Sequence, residues 1–542
     1  MATRSVEPRG LGFTLKLGLI VVSLAVAGCR AGGNSTDAPN DGGVISLAKA
    51  QPVADGTAVS DDPATMPKAD GPRIGAVQMV VTIYEKPDPR SEKLGYLRIG
   101  GTLPRGEKPV KFDTCRGGYY RVLPYGYVCV DEGASIDMNH PILRAGIKPP
   151  DRSKPLPYAY AFVRAIAPRY YRLPTKKEQF QYEMALDRHI RSFKRLGDKW
   201  NSIEVGSNDV PIDAQGRVLG DAPEEPPQLT EPQKFGGDAA GTIPWFFEGT
   251  RQIPNVSSFA VPDYAVITNR VARHAGLSLV GAIEGDNRLF ALTTDLRLVP
   301  ASKLKPGRGA TFHGVELSKG WEFPMGFVKT DDAFLYERKR GTKRKTRLAL
   351  FTPVQLTGEV RGEGEDRIVE NSDGDWLKSK DLAIVVKSSS LPAFVKDKTK
   401  WIDVSIQQQT LVLYEGSKPV YATMVSTGRD GLGDPAKTFS TPRGTFHIRE
   451  KHVTTTMDSE VVGSKFELQD VPYVEYFQHG YALHASYWHT DYGRPRSHGC
   501  INMSPIDAMR TFWWTDPPVP EGWHGVRAGE SFGEGTIINI HP

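Results

Sequence analysis

Residues 481–514 read YALHASYWHTDYGRPRSHGCINMSPIDAMRTFWW. The stretch opens as a short apolar strand, Tyr481-Ala482-Leu483-His484, and crosses a loop rich in Gly, Pro and Arg. It then enters a helix for which Ser504 supplies the cap, Pro505 the first position and Asp507 a first-turn acid. Met509, Phe512 and Trp513 are expected to carry that helix into a core, which fixes the loop at both ends. Three histidines, His484, His489 and His498, lie within 16 residues of Cys500. A cysteine becomes a useful nucleophile when a neighbouring base takes its proton and nearby donors stabilise an oxyanion. His498 is two residues from the thiol and is expected to point away from it. His484, on a separate strand, can fold back beside Cys500 and is the expected base. A protonated His484 would hold the thiolate down to lower pH. Gly499 has no Cβ, so the amides from His498 to Cys500 could approach a substrate carbonyl. His484, His489, His498 and Cys500 lack familiar zinc-ligand spacing, and no metal or other cofactor is expected.

Outward from this stretch the texture is mostly β. Trp401 to Ile406 alternates apolar and polar as a half-buried strand does. LVLYEGSKPVYATMV reads as a hairpin around Glu415-Gly416-Ser417, and Thr536 to Ile540 as a last strand. Eight of the 12 histidines lie beyond residue 400, in the same part of the chain as Cys500.

His484, then Ser497-His498-Gly499-Cys500-Ile501-Asn502, together with the upstream Ser426-Thr427-Gly428 and Thr441-Pro442-Arg443-Gly444-Thr445-Phe446, resembles the L,D-transpeptidase (YkuD-type) family over residues 398–542. The resemblance implies a mainly β, β-sandwich-like catalytic domain that remodels peptidoglycan, with stem peptides as substrate. It also implies Cys500 as nucleophile and His484 as general base and acid. His498 and Ser497 would shape the site, and backbone amides near Gly499 and Cys500 would donate to the oxyanion. The thioester would pass to an amine, giving a 3→3 cross-link or attaching an envelope protein through a lysine. Water in place of the amine would make a hydrolase; a wall-binding scaffold is the non-enzymatic alternative. Two positions depart from the family pattern. Ala485 stands where many members carry Gly or Ser, and Asn502 where many carry Arg. Arg494 or Arg496 could hold the substrate carboxylate instead.

The N-terminus indicates the compartment. Arg4, Arg9 and Lys16 precede an apolar run, Leu17 to Ala27, too short to span a bilayer and suited to a secretory signal. The run ends Val26-Ala27-Gly28-Cys29, which resembles the lipobox of bacterial lipoproteins. Residues 1–28 are therefore expected to be a signal peptide and Cys29 to be acylated. Arg30 follows where an aspartate would resemble an inner-membrane retention signal, so a lipid anchor in the outer membrane is expected. Residues 29–72, rich in Ala, Gly, Asp and Pro, are expected to form a disordered tether spanning roughly 35–40 Å. With Cys29 acylated, Cys115 and Cys129 bracket a hairpin-like CRGGYYRVLPYGYVC. Their pairing would close a loop of about 15 residues, worth about 3 kcal/mol. Cys500 is the odd thiol of an oxidising compartment, which suits a nucleophile.

In the remaining chain, residues 73–140 show short apolar bursts broken by Pro and Gly, and resemble a bacterial SH3-like small β-barrel. Leu335-Tyr336-Glu337-Arg338 and Asp375-Trp376-Leu377 echo it, so a second such module is expected over 326–390. Residues 141–325 are expected to be an α+β middle region to which the sequence assigns no function. There Thr175 and Glu178 form a capping-box start for a helix that buries Phe180, Met184, Ile190 and Phe193 and stops at Gly197. Residues 206–243 read as a proline-rich loop. Glu337 to Arg347 carries seven Lys or Arg residues and reads as a solvated hairpin tip. The net charge of +5 over 542 residues gives no reason to expect a nucleic-acid partner, and it is compatible with anionic peptidoglycan.

Overall fold

The computed structural model describes residues 62–131, 133–145, 148–196, 204–205, 211–212, 261–262, 264–337, 344–387, 391–459 and 466–542. The signal peptide, Cys29, the tether up to residue 61, Gly197, most of the 206–243 loop and the basic tip at 338–343 lie outside the described residues. Residues 62–72, expected within the tether, are ordered. Asp62 caps a short turn, Pro63–Thr65, and Thr65 is buried.

The molecule is mainly β. Lys400–Ser405 pairs antiparallel with Thr410–Glu415 and parallel with Ile537–His541. Ile402, Val404 and Ile406 face inward from this sheet, as period-2 alternation requires. They meet Val453, Tyr473, Phe477 and Leu483 of a second sheet, and Phe512 of helix Pro505–Trp514. Two sheets packed over one apolar layer make a sandwich. The opposite face is covered as well: Trp401 stacks on Tyr414 at 4.3 Å, beside Met325 and Phe327.

Met325–Val385 forms an antiparallel sheet of seven strands with its own core around Val328, Val354 and Leu377. The strands of residues 73–135 behave differently. Lys93–Arg98 pairs with Gly525–Arg527, so it, Val80–Tyr84, Tyr119–Arg121 and Tyr127–Cys129 join a sheet of the C-terminal sandwich, while Arg73–Ala76, Thr102–Pro104 and Ala134–Ser135 form a three-stranded sheet of their own that packs into the same core. Gly95 permits this approach, because a Cβ there would lie 2.2 Å from the Gly525 carbonyl oxygen. Cys115 and Cys129 are joined by a disulfide.

The middle region is a meander in which Gly276–Gly285 pairs with Arg288–Thr293 and with Ala159–Val163. Leu304–Gly307 adds on the far side of Ala159–Val163. Gly276 also pairs with Leu468 of the long strand Phe466–Gln478, which joins the meander to the sandwich. The buried Asp470 carboxylate ties three regions together. It accepts from Nη1 and Nη2 of Arg98 and from the hydroxyls of Ser278, Thr294 and Thr454.

The helix expected from Thr175 has its capping box but breaks in two, Lys176–Tyr182 and Leu186–Leu196. Phe180 and Met184 are exposed and Ile190 and Phe193 half-buried, while Gln179, Glu183 and His189 are buried, so the apolar face read from sequence is met only in its second half. The inward position of Glu183 is stabilised by Arg288, 2.7 Å away, which lies on the sheet beneath.

Candidate active site

His484 lies on strand Tyr481–Ala485, which runs parallel to Ile501–Met503 with His484 opposite Asn502. Alternation puts Ala482 and His484 on one face of the pair, and Cys500 and Asn502 on that same face. His484, Cys500 and Asn502 all line one cavity of about 590 Å³. Among the described residues, Cys500 is the cysteine outside the disulfide, and it is 3% exposed.

The loop that presents Cys500 is held from several sides. Ser497 Oγ accepts from the Gly499 amide at 3.0 Å and donates to the Cys500 carbonyl. Gly499 has φ +118°, and a Cβ there would stand 2.4 Å from the Tyr481 ring. Only glycine fits without strain. The Gly499 amide is thus engaged by Ser497, instead of being held open for the oxyanion as the sequence suggested. The Ser426-Thr427-Gly428 segment braces the loop's other edge. Ser426 and Asn502 exchange backbone hydrogen bonds at 2.9 Å, and Thr427 O accepts from the amides of Arg496 and Ser497. Thr441 Oγ1 accepts from the Gly428 amide at 2.9 Å. After Met503, Ser504 caps helix Pro505–Trp514 by accepting from the Asp507 amide at 3.0 Å.

His484 donates through Nδ1 to the Ala485 carbonyl at 3.0 Å, which leaves Nε2 as the basic nitrogen. Burial pushes its pKa down to about 4, against a small upward effect of that hydrogen bond. The ring is therefore neutral near pH 7. It stands ready to accept a proton, rather than holding one beside the sulfur as the sequence reading supposed.

His489 is buried, and desolvation with the nearby Arg496 charge pushes its pKa down to about 3. Its Nδ1 accepts from the Asp491 amide at 3.1 Å, so Nε2 bears the ring proton. Asn502 Nδ2 lies 2.8 Å from that nitrogen while Asn502 Oδ1 has no hydrogen-bond partner among the described residues, so turning the side-chain amide over would let Oδ1 accept from Nε2–H. His489 thereby orients Asn502.

His498 lines the same cavity as His484 and Cys500, and its ring packs against those of Phe439 and Phe466, at 4.7 and 5.4 Å. Burial lowers its pKa, and the Arg429 charge adds to the effect. Arg496 lines the cavity while paired with Asp491, its side chain 52% exposed. Arg494 is exposed and donates to the Lys329 carbonyl at 3.3 Å, outside the cavity lining. No group of metal-binding geometry occurs among the described residues.

The far wall comes from the middle region. Phe162, Arg164, Lys305 and Arg308 face the cavity from the strands next to Gly276. Sequence reading missed this wall. Its local signal was the basic turn Lys305-Pro306-Gly307-Arg308, which nothing in the sequence placed opposite Cys500.

Residues 399–539 match the model of the YkuD family, the L,D-transpeptidase catalytic domain. A Bacillus subtilis (strain 168) protein described as "Putative L,D-transpeptidase YciB" is 30% identical over 139 residues, which cover 23% of this chain and 64% of that protein. The chain thus spans less than two thirds of this relative's length. An L,D-transpeptidase structure from Stackebrandtia nassauensis aligns at 24% identity over 29% of this chain and 62% of that one, with a TM-score of 0.20. The catalytic domain of the E. faecium L,D-transpeptidase aligns at 22% identity over 27% of this chain and 98% of that one, with a TM-score of 0.20. The likeness to the L,D-transpeptidase (YkuD) catalytic domain is thus carried by residues 399–539.

Proposed function

We propose that the protein is a cysteine-dependent L,D-transpeptidase that acts on peptidoglycan stem peptides. The observation that carries this reading is the meeting of His484, Cys500 and Asn502 on one face of a strand pair and in one cavity, within the segment that matches the family. In the first half-reaction His484 Nε2 takes the Cys500 proton and the thiolate attacks the carbonyl of the L-centre of the third stem residue. The C–N bond breaks, the terminal D-Ala leaves with the proton returned by His484, and a thioester remains. In the second, His484 deprotonates an acceptor amine, which attacks the thioester and regenerates the thiol. The acceptor is a stem amine, giving a 3→3 cross-link; a lysine of an envelope protein is the second candidate.

The other segments fit a cell-envelope setting. Acylation at Cys29 would anchor the chain to the outer membrane on the periplasmic side. The strands of 73–140 and of 326–390 would serve as SH3-like modules that hold wall material near Cys500. Incubating the purified protein with disaccharide-tetrapeptide and analysing products by mass spectrometry tests the reaction. Dimers with loss of D-Ala are expected. Tripeptide alone would replace transfer by hydrolysis, and unchanged substrate would overturn both.

A further inference from the structure

A run of aromatic rings leads from the middle region to the histidine beside Cys500. Trp488, half-buried on the cavity lining, packs against the His484 ring with centroids 5.6 Å apart. Tyr487 meets Trp488 edge-on, at 5.1 Å and 86°. Tyr487 is itself buried, and its ring lies 4.3 Å from that of Tyr160 and 5.7 Å from that of Phe162. Tyr160 and Phe162 belong to strand Ala159–Val163, outside the residues that match the family.

The rings are fixed to the fold as well as to one another. The Tyr487 hydroxyl donates to the Gln469 carbonyl at 3.1 Å, and the Tyr160 hydroxyl to the Asp470 carbonyl at 2.6 Å. Both are thereby tied to consecutive residues of strand Phe466–Gln478. Gly276, the strand partner of Phe162, closes on Tyr487 from the other side, where a Cβ would stand 2.3 Å from the hydroxyl. Tyr160 and Tyr487 share one apolar core with Ala482, which lies on the same face of its strand as His484. Phe162 and Trp488 pack at the edge of that core.

The His484 Nδ1 hydrogen bond goes to the carbonyl of the next residue, Ala485, and sets the tautomer. A bond to a neighbour in sequence does not tie the ring to the rest of the fold; packing has to do so. The demand is strict, since a misplacement of about 1 Å can cost about 100-fold in rate. Neither Tyr160 nor Tyr487 lines the cavity, so any effect they have on the reaction passes through other side chains.

We infer that the middle region positions the catalytic base: Tyr160 and Phe162, through Tyr487 and Trp488, hold the His484 ring in place beside Cys500. The inference rests on the reading of His484 as base given above. It gives residues 141–325 a part in the reaction that the family-matching segment does not supply by itself.

Alkylation of Cys500 by iodoacetamide at pH 7, followed by peptide mapping of the full-length chain, reads the base without any stem peptide. An ordinary thiol, with a pKa near 8.5, is only about 3% ionised at that pH, so loss of the base can slow alkylation by up to about 30-fold. His484→Ala should approach that loss. Tyr160→Leu should slow alkylation about three- to tenfold, and Tyr160→Phe, which keeps the ring, should stay within about twofold of the native rate. Trp488→Leu and Trp488→Phe should differ in the same way, and they carry the test if Tyr160→Leu does not fold. In the His484→Ala background the leucine changes should alter the rate by less than about twofold, because the group they position is gone. Native rates in the leucine variants, or the same further loss in the His484→Ala background, overturn the positioning. An unchanged rate in His484→Ala alone removes the base reading, and the inference with it.

Discussion

Replacing Asp470 by asparagine tests whether three stretches of chain act as one body. Asp470 is fully buried, and its partner Arg98 has a side chain only 10% exposed. Burial pushes the Asp470 pKa up, but Arg98 and the hydroxyls of Ser278, Thr294 and Thr454 outweigh it and hold the group below its usual value. Asparagine keeps the shape, and it tolerates the φ of 48° at this position as well as aspartate does. The change therefore isolates charge and hydrogen bonding. The new amide NH₂ faces either Arg98 or the threonine and serine hydroxyls, and the guanidinium is left buried without a counter-charge. Removing one member of a buried pair typically costs about 3–5 kcal/mol. We expect Asp470→Asn to fall in that range by urea unfolding. Arg98→Met with Asp470→Asn should cost less than Asp470→Asn alone, because the orphaned charge is gone. Hydrogen exchange should rise together in Lys93–Arg98, Gly276–Gly285 and Phe466–Gln478. A loss under about 1 kcal/mol, or faster exchange confined to residues next to 470, would refute the three-way coupling.

Gly499→Ala adds a Cβ 2.4 Å from the Tyr481 ring at a φ of +118°; strain of about 1–3 kcal/mol should displace the loop and lower kcat/KM by about 100-fold, with the circular-dichroism spectrum unchanged. Near-native turnover would mean that the loop geometry does not matter. His484→Ala should reduce turnover by about 10²–10⁴-fold with the domain still folded. His489→Ala should cost less, about 10- to 100-fold, through misplacement of Asn502; the reverse order would reassign the base. His484, His489 and His524 are buried neutral, with pKa values near 4, 3 and 3. The unfolded chain binds their protons below about pH 6.5 while the folded chain does not, so stability falls as pH falls through that window. Each histidine should contribute a loss of about 2 kcal/mol between pH 6.5 and 5. Urea midpoints that stay level from pH 7 to 5 would contradict the neutral, buried state.

Local signals were legible where one segment decides its own structure. The alternation of Ile402, Val404 and Ile406 gave the sandwich face, and Ser504 with Pro505 gave the helix start. The capping box of Thr175 and Glu178 was equally readable, but the face of its helix was not. Glu183 and His189 are buried because Arg288 on the sheet below and Ser302 in the turn Ala301–Lys303 meet them, partners that lie far along the chain. The role of His489 was hidden for the same reason, since its meaning comes from Asn502, 13 residues on. The wall opposite Cys500 is placed by contacts between segments with no shared pattern, among them the pairing of Gly276 with Leu468 and the bonds of Ser278 and Thr294 to Asp470. Trp401, read as one residue of a half-buried strand, is covered on the outer face by a separate sheet.

The central claim is that Cys500 carries the acyl group, and rapid-quench mass spectrometry of the protein mixed with disaccharide-tetrapeptide tests it most directly. The account predicts a transient adduct of the disaccharide-tripeptide acyl group on the peptide containing Cys500. It should form with one D-Ala released per site and decay when an amine acceptor is added. It should be absent in Cys500→Ala and slow to form in His484→Ala. D-Ala release without an adduct, or an adduct on any other residue, would contradict it.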